Sequence, residues 1–210
     1  MAEAAAPCRL YLTLPATFSA ENERSLAEAL ATADIACVLL GQDGAGGDED
    51  LAFRLRALTE ARDVAFLIES DAGRAQRSRA DGVHIVADAA LYRQTREHLG
   101  QRAIIGVGCN ESRHEAMVLA ELGADYVAFG LAPALGKRGE EERAGLIAWW
   151  AEIFVVPCVA WNVETLEEAA NLAALGADFV ALSSTIWETE GAAERIAKIG
   201  AALLAAWSMA

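Results

Sequence analysis

The sequence has 210 residues, of which 54% are hydrophobic, and its 31 acidic and 17 basic residues give a formal net charge of −14. The apolar content suffices for a large folded core, which excludes a disordered chain, and the negative charge argues against nucleic acid as a partner. The apolar runs are shorter than the roughly 20 residues that a membrane helix needs, and the start lacks the features of a secretory signal. We therefore expect a cytoplasmic protein that does not bind membranes.

Short, apolar, β-branched segments alternate along the chain with segments rich in Ala, Leu, Glu and Arg. Most are continuously apolar, which is typical of parallel strands covered on both faces. The predicted strands are 9–14, 36–41, 64–69, 82–86, 103–108, 126–130, 157–162 and 179–184. Eight strands with helices between them predict an α/β fold, a TIM (β/α)8 barrel, with residues 1–210 as a single domain.

One phrase occurs twice, as LAELGADYVAFG at 119–130 and as LAALGADFVALS at 172–183. In each copy an amphipathic helical pattern, 112–122 or 163–175, ends at a glycine. Gly123 and Gly176 fit the left-handed position that closes a helix. We interpret the phrase as a helix end followed by the next strand, with the functional residues where that strand stops.

In a TIM barrel the site lies at the carboxyl ends of the strands and in the loops that follow them. Polar or glycine residues at those ends are the candidates. In chain order they are Glu69, Asp71, His84, Asp88, Gly108, Cys109, Lys137, Arg138, Asn162, Ser183, Ser184 and Thr185.

Different candidates suit different parts of a ligand. Lys137 and Arg138 form a basic pair in the predicted loop 131–140, which suits an anion in so acidic a protein. The loops after strands seven and eight, with Asn162 and 183–185, suit a phosphate. His84 is the histidine predicted near the barrel mouth, either as a base or as a structural residue. The four cysteines have no zinc-site spacing, so we expect buried thiols, with Cys109 at a strand end as the exception.

The order and spacing of several segments resemble the thiamine phosphate synthase/TenI family over nearly the whole chain. They are RLYLTL at 9–14, ADGVHIV at 80–86, IIGVG at 104–108, GADYVAFG at 123–130, VPCVAW at 156–161 and GADFVALSSTIW at 176–187. The resemblance implies that a pyrimidine diphosphate and a thiazole phosphate are joined to thiamine phosphate with release of pyrophosphate. It also implies Mg²⁺ as the cofactor and a homodimer.

Under this resemblance each candidate receives a role. Glu69, Asp71 and Asp88 are expected to hold Mg²⁺, while Lys137 and Arg138 meet the pyrophosphate. Asn162, Ser183, Ser184 and Thr185 are expected to hold the thiazole phosphate, with Gly108 and Cys109 beside the substrate. Lys137, Glu69 and His84 are the expected catalytic residues.

The chain also departs from the family pattern at several strand ends. A Gln-x-Arg-x-Lys tract is replaced by Leu39, Gly41 and Asp43, and a Gly-Gly pair by Trp161 and Asn162. An Asp after the fourth strand is Ala89 here, although Asp88 is adjacent. Lys137 and Ser184 match the pattern.

Two other functions are compatible with the residues. One is a TenI-like isomerase or tautomerase that acts on a related small phosphate, with His84, Glu69 or Cys109 as base, although the histidine expected after the sixth strand is Leu131. The other is a non-catalytic barrel that binds a small phosphorylated ligand.

Overall fold

The computed structural model describes residues 7–42, 48–130 and 136–208, with the side chains of 136–138 and 208 outside the described parts. It confirms the predicted barrel. Eight parallel strands pair in chain order, and the last strand pairs with the first, which closes the sheet. Within the described residues, no helix is long and apolar enough to cross a membrane.

The strands are β1 (Arg9–Leu14), β2 (Ile35–Leu40), β3 (Ala65–Glu69), β4 (Gly82–Val86), β5 (Ile104–Gly108), β6 (Tyr126–Phe129), β7 (Cys158–Val163) and β8 (Phe179–Leu182). The helices are α1 (Ala20–Thr32), α2 (Glu49–Glu60), α3 (Ala72–Ser78), α4 (Ala89–Leu99), α5 (Arg113–Glu121), α6 (Gly136–Ile153), α7 (Leu166–Ala174) and α8 (Ala192–Ser208), with a short 3-10 helix at Ser184–Glu188 between β8 and α8.

The strand ends differ from the predicted ones by at most two residues. The loop after β6 ends earlier than the predicted range 131–140. Helix α6 begins at Gly136, so Lys137 and Arg138 lie in its first turn and not in a loop. The glycines at 136 and 139 favour a loop, because glycine is a poor helix former. The good helix formers that follow, beginning with the glutamates at 140–142, outweigh them.

The core has two parts, which follow from the alternation of side chains along each strand. One side faces the helices and forms the larger apolar layer. The other fills the barrel interior, which contains Tyr11, Cys37, Leu39, Leu67, Tyr126, Ala128, Val159 and Ala181.

Glycines in the interior leave room for rings on neighbouring strands. A Cβ on Gly106 would lie 1.8 Å from Tyr126 Cζ, and one on Gly130 would lie 2.6 Å from the Trp161 Cβ. Real Cβ atoms do not approach other atoms so closely, so these two glycines are required by the aromatic side chains beside them.

The repeated phrase ends two helices in the way that the sequence predicts. Gly123 and Gly176 have φ of 98° and 99°. After Gly123, the N–H of Ala124 donates to Leu119 O at 3.0 Å, which is the bond pattern of a glycine-terminated helix.

The aspartate in each copy of the repeated phrase connects the strand that follows it to the preceding strand. Asp125 and Asp178 each accept a hydrogen bond, at 2.8 Å, from a backbone N–H of the preceding strand, Ile105 N in β5 and Cys158 N in β7. Asp81 makes the same bond, at 2.8 Å, to Phe66 N in β3. We call these three bonds the aspartate bridges.

Candidate functional site

A pocket of about 160 Å³ opens at the carboxyl ends of β3 to β7. Its walls include a carboxylate, an imidazole, an amide, an indole and two glycines. These belong to Glu69, His84, Asn110, Trp161, Gly108 and Gly130. Of the predicted site residues, the structure brings Glu69, His84 and Gly108 together here.

His84 is almost completely buried in the pocket wall, with 6% of its surface exposed. Its Nδ1 lies 3.0 Å from the Tyr126 hydroxyl, and its ring stacks on the Trp161 indole with centroids 4.4 Å apart. Burial lowers the pKa of His84 to about 3, because the cation would lose its hydration. The imidazole is therefore neutral near pH 7.

Two tyrosines extend this contact across the barrel interior. The Tyr126 hydroxyl lies 2.9 Å from the Tyr11 hydroxyl, and both side chains are buried. Burial raises the pKa of Tyr11 and Tyr126 well above the ordinary value, so both phenols keep their protons. The Tyr11 ring also packs against Trp161 with centroids 5.3 Å apart.

Glu69 ends β3 directly beside His84 of β4. Its Oε2 accepts a hydrogen bond from the Gln42 backbone N–H at 3.1 Å, which connects the end of β2 to the pocket. The next residue, Ser70, has φ of 52°, and its N–H donates to the His84 carbonyl at 2.8 Å. The Gln42 N–H therefore holds the carboxylate at the rim, and the His84 carbonyl holds the backbone that follows Glu69.

Trp161 and Asn162 form an irregularity in β7, where the register to β8 shifts between Ala160 and Val163. Asn162 has φ of 58°, a conformation that asparagine tolerates better than most residues. The carbonyls of both residues accept hydrogen bonds from Arg143 of α6.

Arg143 is buried and forms an ion pair with Glu168 of α7. We call Arg143 and Glu168 the β7 clamp. The clamp links α6, the end of β7 and α7, so it fixes the backbone that carries the Trp161 indole.

Asp71 and Asp88 lie at the barrel mouth, where each caps a helix. Asp71 Oδ1 accepts from Arg74 N at 2.8 Å, and Asp88 Oδ1 accepts from Leu91 N at 2.7 Å. Neither lines the pocket with Glu69. Within the described residues no group of three or more His, Cys, Asp or Glu is arranged to hold a metal ion.

The residues after β8 form a compact turn. Ser183 Oγ lies 3.0 Å from Thr185 Oγ1, and the Ser183 N–H donates to Val163 O at 2.9 Å. Ser183 is buried, Ser184 is half-buried and Thr185 is exposed. The turn adjoins Asn162 through Val163, but it does not line the pocket described above.

Cys109 and the basic pair complete the predicted set. The Cys109 thiol is buried in the layer between strands and helices, and burial raises its pKa to about 12. Cys8, Cys37 and Cys158 are free thiols as well. Lys137 and Arg138 lie in the first turn of α6, and their side chains lie outside the described parts.

The sequence interpretation missed Tyr11, Tyr126 and Arg143, whereas Asn110 lies at the predicted end of the fifth strand. Tyr126 lies four residues before Gly130, on the same face of β6, so strand alternation could have placed it inside the barrel. For Arg143 we find no sequence signal, because it lies in a charged helical run that predicts an exposed face.

Together, the closed eight-stranded parallel sheet and the pocket at its carboxyl end define a TIM barrel whose pocket lies where that class carries its sites. The family profile described as "Thiamine monophosphate synthase" (TMP-TENI) matches residues 10–186. The chain belongs to this family, as the resemblance implied.

Curated relatives agree with this membership. The chain is 42% identical over 185 residues to a thiamine-phosphate synthase of Rhodospirillum centenum, covering 86% of this chain and 89% of the relative. It is 37% identical over 195 residues to a thiamine-phosphate synthase of Erythrobacter litoralis, covering 89% and 92%.

Solved structures share the fold. Thiamine phosphate pyrophosphorylase from Pyrococcus furiosus superposes with a TM-score of 0.78 at 20% identity, covering 94% of this chain and 96% of that chain. A mutant tryptophan synthase α-subunit from the same organism superposes with a TM-score of 0.72 at 13% identity, covering 95% and 98%. At these identities the likeness concerns the fold alone.

Proposed function

We propose that this protein is a thiamine-phosphate synthase. In this reaction the C–O bond between the pyrimidine methylene and its diphosphate breaks, and the thiazole nitrogen forms the new C–N bond as pyrophosphate leaves. The observation that carries the proposal is the family match over 10–186, supported by 42% identity over most of the chain to a relative of that name.

The residues of this chain divide between the two substrates. The pocket wall formed by Trp161 and His84 offers a flat apolar face to a heterocyclic ring. The turn at 183–185, with Asn162, offers hydroxyl, amide and backbone N–H groups to the thiazole phosphate. Lys137 and Arg138 are assigned to the pyrophosphate, whose charge must be stabilised as it leaves.

Magnesium fits this arrangement if the substrate supplies most of its ligands. Mg²⁺ is commonly held by one or two carboxylates together with substrate phosphates, so a site built entirely from protein ligands is not required. Asp71 and Asp88 each use one oxygen in a helix cap, and Glu69 uses one toward Gln42. One or two of these three carboxylates, together with the diphosphate, would hold Mg²⁺, which would neutralise diphosphate charge.

The test is product formation by the purified protein. The protein is mixed with the pyrimidine diphosphate, the thiazole phosphate and Mg²⁺, and thiamine phosphate and pyrophosphate are quantified together. We expect equal amounts of both products and a strong loss of rate for Lys137→Ala. The matched control is Lys198→Ala, which removes an exposed lysine paired with Glu194 on α8.

A folded protein that forms no thiamine phosphate would contradict the proposal. A Lys137→Ala rate equal to that of Lys198→Ala would also contradict it, because Lys137 would then have no role in stabilising the pyrophosphate.

The second candidate is a barrel that binds a phosphorylated heterocycle without converting it. It is favoured by the stacked pair His84 and Trp161, because two neutral rings provide a surface for binding but no charge for catalysis. Calorimetry with thiamine phosphate, together with the product assay above, separates this candidate from the synthase. A protein that binds thiamine phosphate but forms none from the two substrates would support it.

We further propose a homodimer, which the family resemblance implies, and the cytoplasmic location that the sequence pattern predicts. Sedimentation of the purified protein tests the dimer, and a monomer at all concentrations would exclude it.

A further inference from the structure

Three hydrogen-bonding groups form a chain that runs from the barrel interior to the pocket. They are the Tyr11 hydroxyl, the Tyr126 hydroxyl 2.9 Å away, and His84 Nδ1 a further 3.0 Å away. All three side chains are buried, with 2% to 6% of their surface exposed. The Tyr11 and Tyr126 hydroxyls and His84 Nδ1 must therefore find their hydrogen-bond partners among one another, because little water reaches them.

The hydrogen bonds among these three side chains can run in two directions. If His84 donates from Nδ1, Tyr126 must donate to Tyr11, and the Tyr11 proton is left to the neighbouring Cys37 sulfur, a weak acceptor. In the reverse direction Tyr11 donates to Tyr126, and Tyr126 donates to His84 Nδ1. Both phenol protons then meet strong acceptors, so the reverse direction is favoured.

The second ring nitrogen of His84, Nε2, lies beside Gly108 in the pocket wall. A Cβ built on Gly108 would lie 3.0 Å from His84 Nε2, and Gly108 and His84 both line the pocket. A glycine at this position therefore leaves the nitrogen accessible from the pocket, while the opposite nitrogen is occupied by Tyr126.

We propose that Tyr126, supported by Tyr11, is a positioning residue that holds His84 as a neutral hydrogen-bond donor with its Nε2 proton directed into the pocket. His84 then recognises an acceptor atom on the ligand, such as a ring nitrogen or a phosphate or carbonyl oxygen. This role replaces that of a base, which the sequence suggested for the isomerase alternative. The ligand part of the inference rests on the proposed function.

The tautomer of His84 can be read directly by nitrogen NMR of the protein labelled with 15N-histidine. The chain has three histidines, and His98→Gln and His114→Gln, both at exposed helical positions, assign the His84 signals. We expect a neutral ring with its proton on Nε2. A neutral ring with its proton on Nδ1 would overturn the inference.

Two matched variants test the role of Tyr126. Tyr126→Phe and Tyr11→Phe each remove one buried hydroxyl from the same set of hydrogen bonds, but only the Tyr126 hydroxyl contacts His84. We expect the Nδ1 resonance to move to the position of an unbonded nitrogen in Tyr126→Phe and to stay bonded in Tyr11→Phe. An unchanged Nδ1 resonance in folded Tyr126→Phe would overturn the role of Tyr126.

A second measurement serves if Tyr126→Phe does not fold. Incorporating 3-fluorotyrosine into Tyr11→Phe makes the Tyr126 hydroxyl a stronger donor without removing it. The Nδ1 resonance should shift further in the bonded direction, and no shift would contradict the proposal.

Thiamine phosphate is the probe for the ligand. Loss of the fixed donor should weaken its binding to Tyr126→Phe about fivefold to tenfold, as measured by calorimetry. If the wild-type protein has the expected tautomer but does not bind thiamine phosphate, the proposed ligand fails and the positioning role stands. If it binds thiamine phosphate but has the Nδ1 proton, the positioning role fails and the proposed function stands.

Discussion

Glycines and rings on neighbouring strands determine the space inside this barrel. The Tyr126 ring occupies the volume that a side chain at residue 106 would need, and the Trp161 side chain does the same beside residue 130. A close-packed interior cannot absorb an extra methyl group without displacing a neighbour.

Gly106→Ala should therefore destabilise the protein by about 3 kcal/mol, because the new Cβ would overlap the Tyr126 ring. The measurement is the free energy of unfolding in urea. The control is Gly145→Ala within α6, where an added Cβ meets nothing within 4 Å. That change should stabilise the helix by about 1 kcal/mol, and equal effects of the two substitutions would contradict the packing argument.

His84 should make the stability of the protein depend on pH. Its pKa of about 3 in the folded state lies below the value of 6.5 expected when unfolded, so between these values the unfolded chain binds the extra proton. The contribution of His84 is then complete above pH 6.5 and decreases as the pH falls, by up to about 1.4 kcal/mol per unit. Urea unfolding between pH 7 and pH 5 measures it.

Comparing variants isolates this contribution. His84→Gln should show a shallower loss of unfolding free energy on acidification than the wild type, whereas the exposed His98→Gln should follow the wild type. A His84→Gln slope equal to the wild-type slope would show that His84 is not buried as a neutral ring.

Among the structural elements, the clamped end of β7 depends on one ion pair, between buried Arg143 and half-buried Glu168. Arg143 reaches from α6 to the carbonyls of Trp161 and Asn162 and to Glu168 at the start of α7. Removing one partner of such a pair leaves an uncompensated buried charge.

Glu168→Gln should cost about 3 kcal/mol of stability and should loosen the Trp161 indole, because Arg143 loses its carboxylate. Urea unfolding gives the first quantity, and fluorescence quenching by acrylamide gives the second. The control is Glu194→Gln, which removes the carboxylate of an exposed pair with Lys198. A stability change no larger than that of Glu194→Gln would contradict the importance of the β7 clamp.

Sequence patterns predict the elements of this barrel because they are local. The period of the apolar residues and the glycines at 123 and 176 specify strands and helix ends within a few neighbours. The hydrogen bond between Tyr11 and Tyr126 joins residues 115 positions apart, and no local pattern encodes it. The same holds for Arg143, whose burial depends on how α6 packs against β7 and α7.

At the scale of the whole molecule, the net charge of −14 is spread over a closed barrel. Mutual repulsion of so many carboxylates opposes the compact state, and added salt screens it. The surface ion pairs act in the opposite direction but contribute little each.

The midpoint of thermal unfolding should therefore rise as NaCl increases from about 20 to about 300 mM, over which the screening length falls severalfold. Differential scanning calorimetry measures the midpoint. KCl at equal ionic strength should give the same rise, since screening does not distinguish the two cations. A falling midpoint would show that attractive pairs dominate the surface.

The aspartate bridges have a consequence for how the chain could be divided. They join β3 to β4, β5 to β6 and β7 to β8, and Asp34 at the start of β2 binds Arg9 of β1 through its side chain. The barrel is thus a ring of four modules, each fastened by an aspartate at the amino ends of its two strands. Across the boundaries, the described side-chain bonds from Thr13 to Leu182 O and from Gln42 N to Glu69 lie at the carboxyl ends instead. New chain termini, or the break between two fragments that reassemble, belong at those boundaries.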